Sequence, residues 1–144
     1  MEFRKANESD VPWLARMNRE LIRDEGHRNP MDESQLAERM ASWLAGQYEA
    51  TIFSADGVDL GYALYKRDPD QVYLRQFLVD RKHRRGGIGR TAIAWLKAHA
   101  WQGSPRIRVE VLTGNHVGIA FWRAMGFDDY CLTLETDLRC HGSA

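Results

Sequence analysis

The sequence has only two cysteines, four prolines and no surplus of either charge, with 20 Lys and Arg against 20 Asp and Glu. Cys131 and Cys140 are too few to build a disulfide scaffold. With the polar start MEFRKANESD they predict free thiols and a cytoplasmic setting. No apolar run approaches the ~18 residues that a membrane-spanning helix needs, so no membrane partner is expected. Zero net charge argues against a nucleic-acid-binding domain, which is usually strongly basic, and any anion site must therefore be local. His83, His99 and His116 lack metal-ligand spacing and a paired cysteine, so no metal is expected. Repeats, low-complexity segments and linkers are also missing, and 144 residues suit a single domain over 1–144.

What is present reads as an α/β chain. Residues 2–6 suit a first strand. Val11, Leu14, Met17, Leu21 and Ile22 then share a helical face, with Ser9 or Asp10 as cap and Pro12 in the first turn. A second helix is predicted over about 33–46 with Leu36, Met40, Trp43 and Leu44 on its buried stripe. The period then changes to strands on either side of SADG, a hairpin turn signal. QVYLRQFLVD predicts a central strand, with Val72, Leu74 and Leu78 on one face and Tyr73, Arg75, Phe77 and Val79 on the other. A helix from Ile88 towards Trp101 follows, then a strand in RIRVEVL. A further helix, capped by Asn115, ends at Gly126, and DDYCLTLETDL predicts a last strand.

One segment is chemically unusual. DRKHRRGGIGRTAIAWL, residues 80–96, places five basic residues and three glycines ahead of a helix. A dinucleotide fingerprint fits poorly, because six residues separate Val79 from Gly86 where that motif turns almost at once. A phosphate loop of the Gly-Lys-Ser/Thr kind lacks its ending, and a nucleic-acid patch would sit oddly on a neutral domain. A pyrophosphate cradle fits better. Glycines at a strand-to-helix junction free backbone N–H groups at the positive end of a helix, and Arg side chains add forked hydrogen bonds. Glycine weakens a helix start unless close backbone access is needed, so the three glycines have no good packing explanation.

The run Arg84-Arg85-Gly86-Gly87-Ile88-Gly89 resembles the Gln/Arg-x-x-Gly-x-Gly/Ala motif of GNAT-type N-acetyltransferases. VEVLTGNHVGIAFWRAMGF resembles the strand, Asn, helix and Gly-Phe ending that follow it there, and the order of elements agrees over nearly the whole chain. The resemblance implies a GNAT fold: a twisted mixed sheet, flanked by about four helices, whose fourth and fifth strands splay apart. It implies acetyl-CoA as cosubstrate. Backbone groups near Leu78 and Val79 would pair with its pantetheine arm, and Arg84, Arg85, Gly86, Gly87, Ile88, Gly89 and Arg90 would hold its pyrophosphate. Asn115 matches a position that often contacts the cofactor. The implied reaction is transfer of acetyl to a primary amine of a small molecule or peptide, by direct attack in a ternary complex.

The sequence departs from that family where an acid is needed. Many relatives carry Tyr seven residues after the Asn, and here Trp122 stands there. An indole N–H donates a hydrogen bond but is no acid near neutrality. Tyr130 is the substitute nearest in sequence, and water is an alternative, since a thiol of pKa about 8.5 leaves readily. The base is open as well, because the central strand offers Tyr73 and Arg75 on the face where relatives often carry Glu or His. Arg75 suits a substrate carboxylate, while Asp24 and Glu25, beside His27, suit an ammonium or a remote base, so an amino-acid-like acceptor fits both. The plainer readings stand beside these: a salt bridge for Arg75, a solvated helix end for Asp24 and Glu25, core packing for Trp122. The missing Tyr also keeps a non-catalytic acetyl-CoA-binding sensor or partner module open. Pairing into homodimers is likewise open.

Overall fold

The structure, a computed structural model, describes residues 1–139. Cys140 lies outside the described residues, and Cys131 is exposed, with no disulfide among the described residues. The five strands β1 (Glu2–Lys5), β2 (Tyr48–Ala55), β3 (Val58–Arg67), β4 (Val72–Val79) and β5 (Ile107–Val109) lie in sequence order in one sheet. The first four are antiparallel and β5 runs parallel to β4, so the sheet is mixed. Helices α1 (Val11–Glu25) and α2 (Glu33–Ala45) pack on one face through Leu14, Met40, Ile52, Tyr62 and Leu64. Helices α3 (Ile88–Ala98) and α4 (His116–Ala124) cover the other, through Tyr65, Val72, Leu74, Ile93, Leu96 and Trp122. Leu14, Leu36, Met40, Ile52 and Leu64 are fully buried, each stabilising the fold by roughly 1.5–3 kcal/mol.

Local chemistry accounts for the element ends. Asp56 and Gly57 both adopt positive φ, 52° and 77°, the two-residue turn that suits a twisted hairpin. Asp32 and Gln35 form a reciprocal capping box at the start of α2, and Gly26 at φ 68° closes α1. The expected caps of α1 are used elsewhere. Asn7 accepts from the Ser9 N–H, while Asp10 accepts from the Asn7 N–H and pairs with Arg4 at 2.9 Å.

Two expectations need correction. Leu64 pairs with Gln76 and Tyr65 with Leu74, so Arg75 is an extra residue in β4, a β-bulge. Tyr73, Arg75, Gln76 and Leu78 therefore share the α1/α2 face, whereas Val72, Leu74, Phe77 and Val79 face α3 and α4. Leu78 indeed packs with the α1/α2 cluster and Phe77 with the opposite one. The second concerns DDYCLTLETDL, which forms no strand: residues 128–138 lack regular structure. The apolar alternation is there, but β5 offers an edge only three residues long. Side chains hold the segment instead, through Arg123 with Asp129 and Arg28 with Glu135.

Candidate active site

Parallel pairing of β4 with β5 runs only from Val72 to Leu74. Beyond Leu74 the two chains part, and β4 continues to Val79 bonded to β3 alone. The parting opens a cleft of about 1000 Å³, lined by Phe77, Leu78 and Val79, the end of α1 and the starts of α3 and α4. A strand edge without a partner offers N–H and C=O groups to any extended chain laid beside it.

The glycine-rich segment closes one end of this cleft. Arg85 and Gly87 both have positive φ, 72° and 76°, which turns successive backbone N–H groups inward in the manner of an anion nest. The first backbone bond of α3 runs from the Thr91 N–H to the Gly87 carbonyl at 3.0 Å, leaving the N–H groups of Ile88, Gly89 and Arg90 without helical partners. Arg84, Arg85, Gly87, Ile88, Gly89 and Arg90 line the cleft; Gly86 does not. Gly89 also has a packing reason that the sequence reading missed, because a Cβ there would come within 3.1 Å of the Phe121 ring. Asn115 lines the cleft and caps α4, its Oδ1 accepting from the Gly118 N–H at 3.0 Å.

The seven positions expected to hold an anion divide in two. Arg84 donates from Nε to the Val79 carbonyl (2.9 Å) and from Nη2 to Asp24 (2.6 Å), and Arg81 also pairs with Asp24. Together these contacts fasten the loop to α1 and to the end of β4. Arg85 and Arg90 make no ion pair among the described residues, so their charges remain available to a bound anion. Burial pushes the Asp24 carboxyl up, but hydrogen bonds from Arg84 and Arg81 outweigh it and hold the group below the usual carboxylate range.

The sequence profile described as the acetyltransferase (GNAT) family matches residues 13–127, most of the chain. The chain belongs to the GNAT acetyltransferase family. Solved structures agree on the fold. "A possible acetyltransferase" from Clostridium difficile 630 superposes with a TM-score of 0.80 at 15% identity, covering 97% of this chain and 98% of that one. The aminoglycoside N-acetyltransferase AAC(6')-Iy in complex with CoA gives 0.75 at 17% identity, over 96% and 95%. A protein from Clostridium acetobutylicum, described as a predicted acetyltransferase and solved with acetyl-CoA, gives 0.75 at 20%, over 97% of each chain. No curated protein matches the sequence significantly.

In this GNAT chain the residues expected at the acceptor end do not all gather. Glu25 lines the cleft beside Asp24, and burial, then the Asp24 charge, raises its carboxyl above the usual range. Tyr73 and Arg75 lie outside the cleft lining, on the α2 side of β4. The Tyr73 hydroxyl donates to Glu110 at 2.6 Å, and burial together with that bond pushes its pKa up to about 12. Arg75 reaches the Tyr48 hydroxyl at 3.4 Å and stacks over Trp43. Trp122 also lines the cleft but is 9% exposed and packed edge-on against Phe77, Phe121 and Phe127. Tyr130 is 86% exposed, lies by Arg108 and does not line the cleft.

Sequence reasoning passed over Arg39, which stacks on Trp43 from one helical turn earlier, and the Tyr62–Gln76 hydrogen bond of 2.8 Å on the same face of the sheet. The spacing of Arg39 and Trp43 was the available signal. Among the described residues no group of His, Cys, Asp and Glu is arranged to hold a metal, and no helix is long and apolar enough to cross a membrane.

Proposed function

We propose that the protein transfers the acetyl group of acetyl-CoA to the primary amine of a small molecule or peptide, by direct attack in a ternary complex. The observation that carries this reading is the cleft itself. It joins an unpaired strand edge, a nest of free N–H groups and a carboxyl of raised pKa in one continuous space. The donor set suits a diphosphate ester on a long amide-bearing arm. The N–H groups of Ile88, Gly89 and Arg90 and the side chains of Arg85 and Arg90 take the phosphates, and the open edge of β4 near Leu78 and Val79, whose Val79 carbonyl already accepts from Arg84, takes the amides. Asn115 sits opposite, on α4. Acetyl-CoA supplies the activated thioester; the chain supplies position and proton transfer.

Glu25 is assigned the base. A primary amine reaches the site as ammonium, and a carboxylate of raised pKa beside it takes the proton more readily than an ordinary one. Asp24 is not assigned that role, because Arg81 and Arg84 occupy it. No tyrosine lines the cleft, so the departing thiolate takes its proton from water, which a thiol of pKa about 8.5 allows. Trp122 forms part of the apolar wall.

The absence of a tyrosine from the cleft lining also favours a second reading, a module that binds acetyl-CoA without turnover. One assay separates the two. The protein is incubated with acetyl-CoA and a panel of amines, polyamines, amino acids and peptides while free thiol and product mass are followed. Turnover with any acceptor above the rate of acetyl-CoA hydrolysis supports transfer. Tight acetyl-CoA binding with no acetylated product across the panel establishes the module instead.

A further inference from the structure

Helix α2 and strand β4 bring two guanidinium groups onto one indole. Arg39 lies 4.4 Å and Arg75 4.6 Å from the centroid of the Trp43 ring. Among the described residues neither makes an ion pair. Arg39 donates to Asn18 Oδ1 at 3.1 Å, and Arg75 to the Tyr48 hydroxyl at 3.4 Å. Arg39 Nε is buried with no partner, and so is Nδ2 of Asn18, a residue only 1% exposed. Burial, then the charge of Arg75, lowers the pKa of Arg39. Arg39 is only partly buried and Arg75 is exposed, so solvent screens their repulsion in part, and an anion set against both would complete the group. Arg75 shares this face with Tyr73 by ordinary alternation, and the bulge adds Gln76 to the same side of β4. Gln76 accepts from the Tyr62 hydroxyl, and Tyr62 lies close enough to both Glu25 and Arg39 to feel their charges. Tyr62, itself fully buried, is thus the group on the α1/α2 face that lies near both Arg39 and the proposed base.

We propose that Arg39 and Arg75, set against Trp43, form a subsite for a carboxylate of the acceptor, which makes the acceptor a small molecule bearing both an amine and a carboxylate. The inference rests on the acetyl-transfer reading above for its amine end, while the anion subsite stands on its own geometry. A guanidinium edge presents two N–H donors at the spacing of two carboxylate oxygens, and the aromatic rings of Trp43 and Tyr48 hold that edge in place.

The test compares amino acids with their decarboxylated amines, phenylalanine against phenethylamine and leucine against isoamylamine, in both turnover and calorimetric titration. Expected is a preference for the carboxylated member of at least about tenfold, the factor given by one charge-assisted hydrogen bond. The R75Q variant, altered at an exposed position, is expected to narrow that ratio to about threefold or less through KM, and R39Q to do the same. A ratio near one in the wild type, or a preference that survives in both variants, overturns the subsite. Preferential binding of the amino acids with no turnover of any acceptor supports the subsite and rejects acetyl transfer. Turnover without preference rejects the subsite and keeps acetyl transfer.

Discussion

Replacing Asp24 by Asn removes one charge from the joint between α1 and the cradle while leaving its shape. In the wild type that carboxylate, 14% exposed, receives Arg84 at 2.6 Å and also Arg81. The two arginines are 38% and 68% exposed, so solvent screens both pairs and each is worth no more than about 1 kcal/mol. The expected loss is therefore about 1–2 kcal/mol near pH 7, read by urea denaturation. Its pH dependence has a fixed sign. Asp24 titrates lower in the folded protein than in the unfolded chain, where its pKa is about 3.9. The stabilisation is thus complete above that value and disappears as pH falls through the folded one. The gap between wild type and D24N should close on acidification. A second readout follows from Glu25, whose carboxyl is raised by burial and then by the Asp24 charge. Removing that charge lowers the Glu25 pKa, so the acidic limb of kcat/KM moves to lower pH in D24N. Equal stability near pH 7, or an acidic limb that stays in place, would refute this account of the joint.

Glu25→Gln removes the proposed base, and kcat/KM is expected to fall about 100-fold and lose its acidic limb. Because the folded carboxyl is raised, its neutral form favours folding below the unfolded pKa of about 4.3, and that advantage is lost as pH rises through the folded value. E25Q should therefore be more stable than wild type at about pH 8 and alike near pH 4, as thermal melts at the two values will show. Gly87→Ala meets no atom within 4 Å, so its cost is the left-handed backbone alone, about 1 kcal/mol by chemical denaturation. Gly61→Ala differs, because its Cβ would fall 2.1 Å from the Leu78 carbonyl oxygen on the neighbouring strand. A loss of about 3 kcal/mol is expected, with weakened acetyl-CoA binding in calorimetry because β4 must shift.

Features set by short-range chemistry were legible in the sequence. The Asp-Gly turn, the spans of α1 and α2 and the glycine-rich start of α3 all lie where local spacing placed them. The bulge at Arg75 was not legible, because both faces of β4 are largely apolar and one inserted residue leaves no mark on such a pattern. It mattered, since it moved Gln76 and Leu78 to the α1/α2 side and Phe77 and Val79 to the other. The strand expected in 128–138 failed for a different reason. Alternation prepares a segment for pairing, but the partner edge is a property of the whole sheet. Asp24 resembled an acceptor contact in sequence because its two partners, Arg81 and Arg84, lie 57 and 60 residues away. At Trp43 the helical stripe suggested core, whereas the ring is partly exposed and carries two arginines.

The central claim is that the N–H nest and the free edge of β4 together hold acetyl-CoA. Amide nitrogen–proton NMR spectra of the intact protein, titrated with acetyl-CoA, test this without altering any residue. The account predicts that the amides of Ile88, Gly89 and Arg90 shift together with those of Leu78 and Val79, along one saturable curve. Saturable binding whose shifts avoid both segments, or no saturable shift at all, would contradict it.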